Sequence, residues 1–586
     1  MKQTFKRRLS LMLAATMAFG SVAFAATANA ADTADASVSA SNGLPEKIED
    51  GAILHCWCWS FNTIKENLPQ IAAAGFKSIQ TSPVNQYKTP KSKKEALKSS
   101  SNDNGNWWYQ YQPTDYTIGN YMLGTEEEFK EMCEEAHKLG IKVIADIVAN
   151  HCSSDYSAIS STIKSVAGKD TFHPVSQITD WSNREQVTQG HLTGLWDLNT
   201  QDSRVQQMIV DYTNRVLADG ADGFRFDAAK HIELPDDDPK YAGNFWPTVL
   251  ANDAEFQYAE VLVGADRAAD YAKMVKITAE AYGANLRAAL SKQKVTSATA
   301  KNYRLTGVDA GQLVTWVESH DTYCGDDVPG ENKYSSWYTT TNEDINRGWA
   351  VICAQGDTTP LFYARPQGSG SRIEGGSSSQ NFKQKWGDNT IGLAGDGNYY
   401  SNEVAAVNKF RNAMVGEKKN LVDVVKGGKV TMIERGNKGA VIVSVADADS
   451  NISVASSLPD GTYVDHANGG TFTVANGTLT GTIAAGAVAV LYQEEAPVTE
   501  PITEPVTEPV TERPVGDING DMVFDINDAT ELQRHLAEFT KADGSPIVDE
   551  SNPEDFRIAD FNGDNVINVN DVTAMQCSLA EFVSLR

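Results

Sequence analysis

The chain has 586 residues, among them 77 acidic and 50 basic side chains, which give a formal net charge of −27 at pH 7. One hydrophobic core rarely serves more than about 250–300 residues, so two to four domains are expected. The negative charge argues against nucleic acid or an anionic membrane as a partner, and it favours a neutral polymer or a cation such as calcium.

The first thirty residues have the pattern of an export signal. Basic residues at positions 2, 6, 7 and 8 precede an apolar run over 9–26, and Ala28-Asn29-Ala30 forms a small-x-small cleavage site. We therefore predict a signal peptide over 1–30 and a secreted protein. A membrane anchor fits less well because polar residues follow at once, and no later run approaches the roughly 20 apolar residues of a membrane span.

The seven cysteines are scattered and odd in number, so they indicate no disulfide framework. Cys56 and Cys58 alternate within an apolar run. We interpret them as small hydrophobic residues on one face of a strand.

Residues 42–415 alternate apolar, strand-like runs with amphipathic helical stretches. Helices are predicted over 63–74 and 126–139, and strands over 52–59, 78–81, 143–147, 223–226, 256–259, 313–318 and 359–363. About eight such repeats favour a closed, parallel (β/α)8 barrel.

The rest of the chain predicts three further segments. Residues 416–493 contain short β-rich runs between glycine-containing turns, which indicates an antiparallel β-sandwich. Residues 494–514 repeat Thr, Glu and Pro and predict a semi-rigid linker of roughly 60 Å, at about 3.1 Å per residue. Residues 515–586 form a last module.

Four barrel segments run directly from an apolar strand into polar residues, at 146–151, 223–231, 260–262 and 317–321. Active sites of (β/α)8 barrels lie at the carboxyl ends of the strands. Each segment alone has a simpler explanation, because an Asp after a strand often only caps a helix. Four of them in this order indicate an enzyme site.

These segments resemble the four signature regions of the α-amylase family of glycoside hydrolases. Residues 194–199 resemble the auxiliary motif of that family, and residues 107–113 resemble its aromatic sugar-binding motif. The resemblance covers residues 50–415 in order and spacing. It implies an endo-acting, retaining hydrolase of internal α-1,4-glucosidic bonds in starch and related glucans.

The resemblance implies that Asp227 is the nucleophile and Glu260 the general acid/base, with Asp321 as the third catalytic carboxylate. Cleavage of an acetal needs an acid for the leaving oxygen and a carboxylate for the cationic carbon. Arg225 lies two residues before Asp227, on the same strand face, and can hold that carboxylate ionised. Asp321 is expected to raise the pKa of Glu260 as a nearby like charge.

The family also implies a set of substrate contacts. His151 and His320 match donors to the distorted sugar ring, Tyr111 would stack on that ring, and Lys230 and His231 match the leaving-group side. The full predicted set is Trp107, Trp108, Tyr111, Gln112, His151, Arg225, Lys230, His231 and His320.

One calcium ion is implied between the barrel and a short excursion, domain B, over 152–190. Asn150 and Asp197 match the side-chain ligands, and His231 and Thr188 would offer backbone carbonyls. Oxygen ligands of this kind suit calcium, a hard cation.

The sequence departs from the animal-type members of the family, which bind chloride. Ser319 replaces the Asn that precedes the histidine of the fourth region, and the basic ligand near strand eight is missing where Thr358-Thr359-Pro360-Leu361 stands. Arg225 alone would not hold chloride, so we predict no chloride site.

Two acidic loops in the last module share positions 1, 3, 5, 9 and 12 of a calcium-binding loop. They contain Asp517, Asn519, Asp521, Asp525 and Asp528, then Asp560, Asn562, Asp564, Asn568 and Asp571. Each loop is predicted to lead into one helix, over 529–539 and 572–582, with no helix before it. The duplicated loop–helix resembles a dockerin, which implies two calcium ions and a cohesin domain on a scaffold as partner. The alternative is two acidic turns in a solvated tail.

Two other functions remain open. A transglycosylase of the same family would share the covalent intermediate, although the short 152–190 excursion and the single β domain favour hydrolysis. A non-catalytic glucan-binding subunit would not need all of Asp227, Glu260 and Asp321.

Overall fold

The computed structural model describes residues 42–90, 107–174, 176–262, 267–325, 335–388, 390–425, 427–493, 515–519, 524, 526–537, 539–541, 546–550, 552–562 and 566–581. The predicted signal peptide and linker lie outside these residues. The chain divides into two compact units between residues 494 and 495.

The strands of the first unit are, in chain order, β1 (Ile53–Cys56), β2 (Ser78–Thr81), β3 (Asn85–Tyr87), β4 (Pro113–Asn120), β5 (Gly124–Thr125), β6 (Lys142–Ile147), β7 (His151–Cys152), β8 (Trp196–Asp197), β9 (Gly223–Phe226), β10 (Phe256–Ala259), β11 (Lys276–Thr278), β12 (Leu313–Thr315), β13 (Thr359–Tyr363), β14 (Lys419–Val425), β15 (Val430–Arg435), β16 (Gly439–Ser444), β17 (Ser450–Ala455), β18 (Gly461–Val464), β19 (Thr471–Ala475), β20 (Thr478–Ile483) and β21 (Val488–Tyr492).

Its α-helices are α1 (Phe61–Ala73), α2 (Glu126–Lys138), α3 (Ser161–Ser165), α4 (Arg184–Gln189), α5 (Ser203–Ala218), α6 (Phe245–Val249), α7 (Ala268–Tyr271), α8 (Glu280–Ser291), α9 (Ser297–Ala300), α10 (His320–Cys324), α11 (Ser336–Thr339), α12 (Asn342–Cys353), α13 (Ser378–Trp386) and α14 (Asn402–Ala413).

Eight parallel strands close a barrel in the order β1-β13-β12-β11-β10-β9-β6-β2. These strands are almost entirely buried because helices cover the outer face and side chains fill the interior. The buried cluster inside the barrel includes Ile53, Ile144, Phe256, Tyr258, Val314, Trp316 and Leu361. The predicted (β/α)8 barrel is confirmed.

Barrel closure joins distant parts of the chain, since Ile53 of β1 pairs with Leu361 of β13. The buried Arg411 on α14 fastens this seam. Its Nε donates to the carbonyl of Gly51 at 2.9 Å, and its Nη2 donates to the carbonyl of Thr358 at 2.7 Å.

Several strands differ from the sequence prediction; the strand β12, for example, ends at Thr315 rather than at residue 318. The strand β1 ends at Cys56 rather than at residue 59, because Cys58 has a left-handed φ of 63° that ends the extended run. The strand β11 was not predicted, because its three residues are too few to show a hydrophobic period.

Two antiparallel four-stranded sheets follow the barrel, in the orders β14-β15-β16-β21 and β17-β20-β19-β18. Apolar side chains of the two sheets form one buried cluster, which includes Met432, Ile442, Phe472, Leu479 and Leu491. This is the predicted β-sandwich architecture.

The second unit contains helices α15 (Ile526–Leu536), α16 (Pro553–Ala559) and α17 (Val569–Glu581) around a small core that includes Leu532, Val572 and Met575. Helices α15 and α17 each begin three residues before the predicted start, because the last loop positions are already helical. The prediction that no helix precedes either loop is wrong for the second loop, since α16 ends directly before Asp560. Pro553 favours a helix start there, and Ile558 and Ala559 bury its last turn.

Six cysteines of the first unit are buried free thiols: Cys56, Cys58, Cys133, Cys152, Cys324 and Cys353. Across the described residues, every helix is too short or too polar to cross a membrane.

Candidate active site

Strand register brings the polar strand ends together at one edge of the barrel. In β6 and β9, Asp146 pairs with Arg225, and Arg225 pairs in turn with Tyr258 of β10. The amide of Asp227 donates to the carbonyl of Ile147 at 2.9 Å, and the amide of Glu260 donates to the carbonyl of Phe226 at 2.8 Å. Asp227 and Glu260 therefore leave neighbouring strands at the same level.

Arg225 is the centre of the carboxylate cluster. Its Nη1 donates to Asp146 at 2.8 and 2.9 Å and to Oδ1 of Asp227 at 2.8 Å. Its Nη2 lies 2.6 Å from Oε1 of Glu260. One buried guanidinium thus orients three carboxylates. Such charge-assisted hydrogen bonds are stronger than hydrogen bonds between neutral groups.

The environment of these carboxylates opposes their ionisation. Burial raises the pKa of Asp227 and of Glu260, and Arg225 opposes the rise in both. The charge of Asp227 raises the pKa of Glu260 further. The predicted cause of this rise was Asp321, but burial is the larger cause, and the repulsion between Asp321 and Glu260 raises the pKa of Asp321 instead.

The turn after β9 adds a second donor to Glu260. Ala228 has a left-handed φ of 49°, which is uncommon for a residue with a Cβ. Its amide donates to Oε2 of Glu260 at 3.1 Å. The strained turn and Arg225 together hold both oxygens of this carboxylate.

An aromatic wall adjoins the cluster. The rings of Tyr111 and His320 are stacked, with centroids 5.4 Å apart and planes at 4°, and Trp107 packs edge-on against both. The hydroxyl of Tyr111 donates to Asp146 at 3.2 Å. Oδ1 of Asp321 lies 3.4 Å from Nε2 of His320.

His151 is buried beside the same cluster. Its Nε2 lies 3.0 Å from the carbonyl of Tyr111 and 4.0 Å from Oδ2 of Asp227. The carbonyl can only accept, so these partners assign the proton to Nε2. Burial lowers the pKa of His151 to about 4, so the ring is neutral at pH 7.

The other predicted substrate residues lie at two places. Trp108 is half-buried against Trp107, whereas the amide oxygen of Gln112 accepts bonds from Ser153 and Ser154. Nζ of Lys230 lies 5.8 Å from the ring of Trp181, and the ring of His231 lies 6.0 Å from it.

Two of the predicted calcium ligands, Asn150 and Asp197, contact each other, and His231 contacts the neighbour of Thr188. The side-chain Nδ2 of Asn150 lies 3.3 Å from Oδ1 of Asp197. Oδ2 of Asp197 accepts a 2.6 Å hydrogen bond from Nδ1 of His173. Nδ1 of His231 lies 2.8 Å from the carbonyl of Val187, the neighbour of Thr188. Burial raises the pKa of Asp197 to about 7, so a cation would favour its charged form.

This donor set fits calcium. No group of three or more His, Cys, Asp or Glu side chains suited to a metal occurs among the described residues. The predicted ligands are the Asp197 carboxylate together with amide and carbonyl oxygens, which are oxygen donors of the kind that calcium prefers.

Each of the two acidic loops of the second unit contains the same kind of hydrogen bond, from a backbone amide to the Asp at loop position 12. The amide of Asn519 donates to Oδ1 of Asp528 at 3.0 Å, and the amide of Asn562 donates to Oδ1 of Asp571 at 3.1 Å. The amide of Asn568 also donates to Asp571, at 2.8 Å. Asp517 and Asp560 are described as well, whereas Asp521, Asp525 and Asp564 lie outside the described residues.

Sequence reasoning missed four residues of these sites. Asp146 was detectable as a charged residue inside the apolar β6 run, and Trp181 as an aromatic residue that is 54 % exposed. His173 gave no signal. Arg365 follows β13 and binds both oxygens of Glu318, at 2.6 and 2.9 Å, so a basic residue does stand just beyond the segment where none was found.

Comparison with known proteins agrees with this geometry. The family "Alpha amylase, catalytic domain" matches residues 59–312, and "Dockerin type I domain" matches residues 515–579. The alpha-amylase of Clostridium acetobutylicum is 35 % identical over 466 residues, covering 77 % of this chain and 55 % of that protein. The alpha-amylase of Butyrivibrio fibrisolvens is 37 % identical over 493 residues, covering 77 % of this chain and 48 % of that protein. The chain thus spans about half the length of these relatives.

Solved structures show the same fold at low identity. Wild-type alpha-amylase I of Eisenia fetida superposes with a TM-score of 0.59 at 20 % identity, covering 77 % of this chain and 97 % of that one. An alpha-amylase of Geobacillus thermoleovorans superposes with a TM-score of 0.57 at 16 % sequence identity. The match covers 76 % of this chain and 99 % of that one.

A closed parallel barrel with buried carboxylates at its strand ends places the chain among the barrel enzymes. An alpha-amylase catalytic domain and a C-terminal dockerin type I domain are both present. Both families generally bind calcium.

Proposed function

We propose that this protein is a secreted, endo-acting α-amylase that hydrolyses internal α-1,4-glucosidic bonds of starch and related glucans with retention of configuration. The observation that carries the proposal is the shared contact of Arg225 with Asp227 and Glu260. A retaining displacement needs a nucleophilic carboxylate and a second, acidic carboxyl group close together. The named relatives support the same activity.

In this mechanism Asp227 attacks the anomeric carbon, and Glu260 gives its proton to the glycosidic oxygen as the bond to the leaving glucan breaks. Glu260 then takes a proton from water, whose oxygen displaces Asp227 from the same carbon. Arg225 keeps Asp227 ionised against its burial. Burial and the charge of Asp227 raise the pKa of Glu260 and so favour the protonated form that the first step needs.

The remaining residues hold the sugar. Asp321 is open to the solvent and would accept bonds from hydroxyls of the distorted ring. Tyr111 would offer an aromatic face, and neutral His151 and His320 would offer ring N–H groups. On the leaving-group side, Trp181 joins Lys230 and His231, because both lie beside its exposed ring.

We assign one calcium ion to the catalytic domain, held by Asn150, Asp197 and the carbonyls of Thr188 and His231. Bound there, it would neutralise the buried Asp197 and fasten the 152–190 excursion to the barrel. Two further ions would occupy the loops that end at Asp528 and Asp571.

We also propose that the dockerin attaches the enzyme to a cohesin domain of an extracellular scaffold. The proposed boundaries are a signal peptide over 1–30, a barrel over 42–415, a β domain over 416–493, a linker over 494–514 and a dockerin over 515–586. N-terminal sequencing of protein from culture medium tests the cleavage.

The product profile on soluble starch tests the activity. An endo-acting hydrolase gives a rapid fall in iodine staining with few reducing ends. A transglycosylase would lengthen maltooligosaccharides, and a non-catalytic binder would release no reducing ends.

A further inference from the structure

A small cavity of about 20 Å³ lies inside the barrel against the carboxylate cluster. Its walls include Arg225, Glu260 and Ser319 on the side of the cluster, and His55 and Trp316 on the side of the barrel core. None of the functions assigned above uses this space.

Two buried nitrogens on its walls lack a hydrogen-bond partner among the described residues. They are Nε1 of Trp316, which is 4 % exposed, and Nε2 of His55, which is 1 % exposed. Buried polar groups are nearly always paired with protein or with ordered water, so each of these atoms requires a partner.

The cavity has the size and chemistry for one water molecule. A single buried water needs on the order of 10–15 Å³ and two to four polar partners. The indole N–H of Trp316 can only donate, whereas the Glu260 carboxylate accepts, and a water molecule serves both at once.

The local charge excludes an anion. Arg225 is already shared by Asp146, Asp227 and Glu260, so its charge is not available to an anion. Burial and Arg225 lower the pKa of His55 to about 3, so this ring adds no positive charge. A neutral ligand is therefore favoured over chloride.

We propose that the cavity holds one buried water molecule anchored by the indole N–H of Trp316, which makes Trp316 a positioning residue for Glu260. The bond from the indole fixes the water oxygen and leaves both water hydrogens for acceptors on the wall. The water then solvates Glu260 from inside the barrel. This role rests on the proposed function of Glu260 as the acid.

Loss of the water would leave Glu260 more desolvated and its charged form less stable. The other charged or titratable groups near Glu260 stay in place. They are Arg225 on β9, Asp227 and Lys230 after β9, Asp146 on β6, His151 on β7, Tyr258 on β10, and His320 and Asp321 on α10.

The first test is Trp316→Phe, which removes the N–H and keeps an aromatic ring. We expect kcat on soluble starch to fall about 2- to 10-fold, the change that one hydrogen bond corresponds to. We expect the alkaline limb of the kcat/KM profile to move up by about half a pH unit or more, because the acid stays protonated longer.

Trp246→Phe is the matched control. Trp246 is also fully buried with an unpartnered Nε1, but it packs against Phe226, Phe245 and Tyr271 away from the cavity. The alkaline limb of the kcat/KM profile of Trp246→Phe is expected to lie at the same pH as that of the wild type. The role of Trp316 would be overturned if the alkaline limb of the kcat/KM profile had the same position in the wild type and both variants. It would also be overturned if both variants showed the same shift of that limb.

The second test needs no activity, so it separates this proposal from the proposed function. A crystal structure of the full chain in bromide in place of chloride is expected to show one water-sized peak within about 3.2 Å of Nε1 of Trp316 and no anomalous bromide signal there. An empty cavity, or bromide in it, would refute the proposal.

Discussion

Nη1 of Arg225 donates to Oδ1 of Asp227 at 2.8 Å, across a single intervening residue at the end of β9. The two-residue spacing puts both side chains on one face of the strand, and burial then makes their bond the main support for a charged Asp227. The residue that supports the charged form of the proposed nucleophile therefore belongs to the strand that directly precedes it.

Replacement of Asp227 by Asn is expected to lower kcat by about 10³-fold or more, because no covalent intermediate can form. Glucan binding is expected to survive, since Tyr111 and Trp108 remain. Steady-state kinetics and affinity electrophoresis in starch gels measure the two effects. The exposed Asp253→Asn serves as control and is expected to behave as wild type. Activity above a few per cent in the Asp227 variant would show that the nucleophile is misassigned.

The reducing ends released at early times are expected to be α-anomers. Two successive displacements at one carbon restore its configuration, and retaining enzymes hold their carboxyl groups about 5–5.5 Å apart. Proton NMR of the first products, recorded before mutarotation, measures the anomer. An early β-anomer signal would rule out the double displacement.

Activity is expected to be independent of chloride. Arg225 is bound by three carboxylates, and Arg365 by Glu318, so neither guanidinium has its charge available for an anion. Rates in chloride-free acetate or sulfate buffer at matched ionic strength provide the test. A large loss of rate, reversed by added chloride, would contradict both this prediction and the neutral cavity.

Folding of the C-terminal module is expected to depend on calcium. Residues 515–586 carry 15 acidic and 4 basic side chains, and their core is small, so repulsion opposes folding until cations bind. Far-UV circular dichroism of this segment is expected to gain helix on addition of calcium. The double variant Asp528→Ala and Asp571→Ala should lose that response, whereas the exposed Glu550→Ala should keep it. Equal helicity in excess chelator would argue against a dockerin.

Native protein is expected to resist thiol reagents at pH 8. Reaction requires the thiolate, and burial raises the pKa of five of these thiols, to about 12 for Cys353. The sixth, Cys324, is buried as well. Titration with Ellman's reagent should find at most one reactive thiol per chain, Cys577, and all seven after denaturation. Rapid native labelling of several thiols would show that the barrel opens or that these cysteines are misplaced.

The sequence predicted the residues that follow barrel strands, because a parallel barrel collects every strand end at one edge. Asp227, Glu260 and Asp321 lie in the segments located in this way, whereas their catalytic roles rest on the resemblance to the α-amylase family and stay predictions. The role of Asp146 was not, because it depends on the register that pairs this residue with Arg225, 79 positions later.

Contacts between loops gave no signal in the sequence. His173 meets Asp197 at a distance of 24 residues along the chain, and Arg365 meets Glu318 at 47. In each pair the two residues come from different segments of the chain, so the local sequence pattern contains no information about their contact. The cause of the raised pKa of Glu260 was also misjudged, because burial is a property of the whole barrel.

The seam between β1 and β13 determines when this enzyme can fold. Its two strands are about 300 residues apart, and Arg411, which fastens them, comes later still. A nascent chain that has not reached residue 363 must expose two bare strand edges, which are sites of aggregation. The proposed export across a membrane would benefit from that delay, because the chain stays unfolded until its last barrel strand has been made.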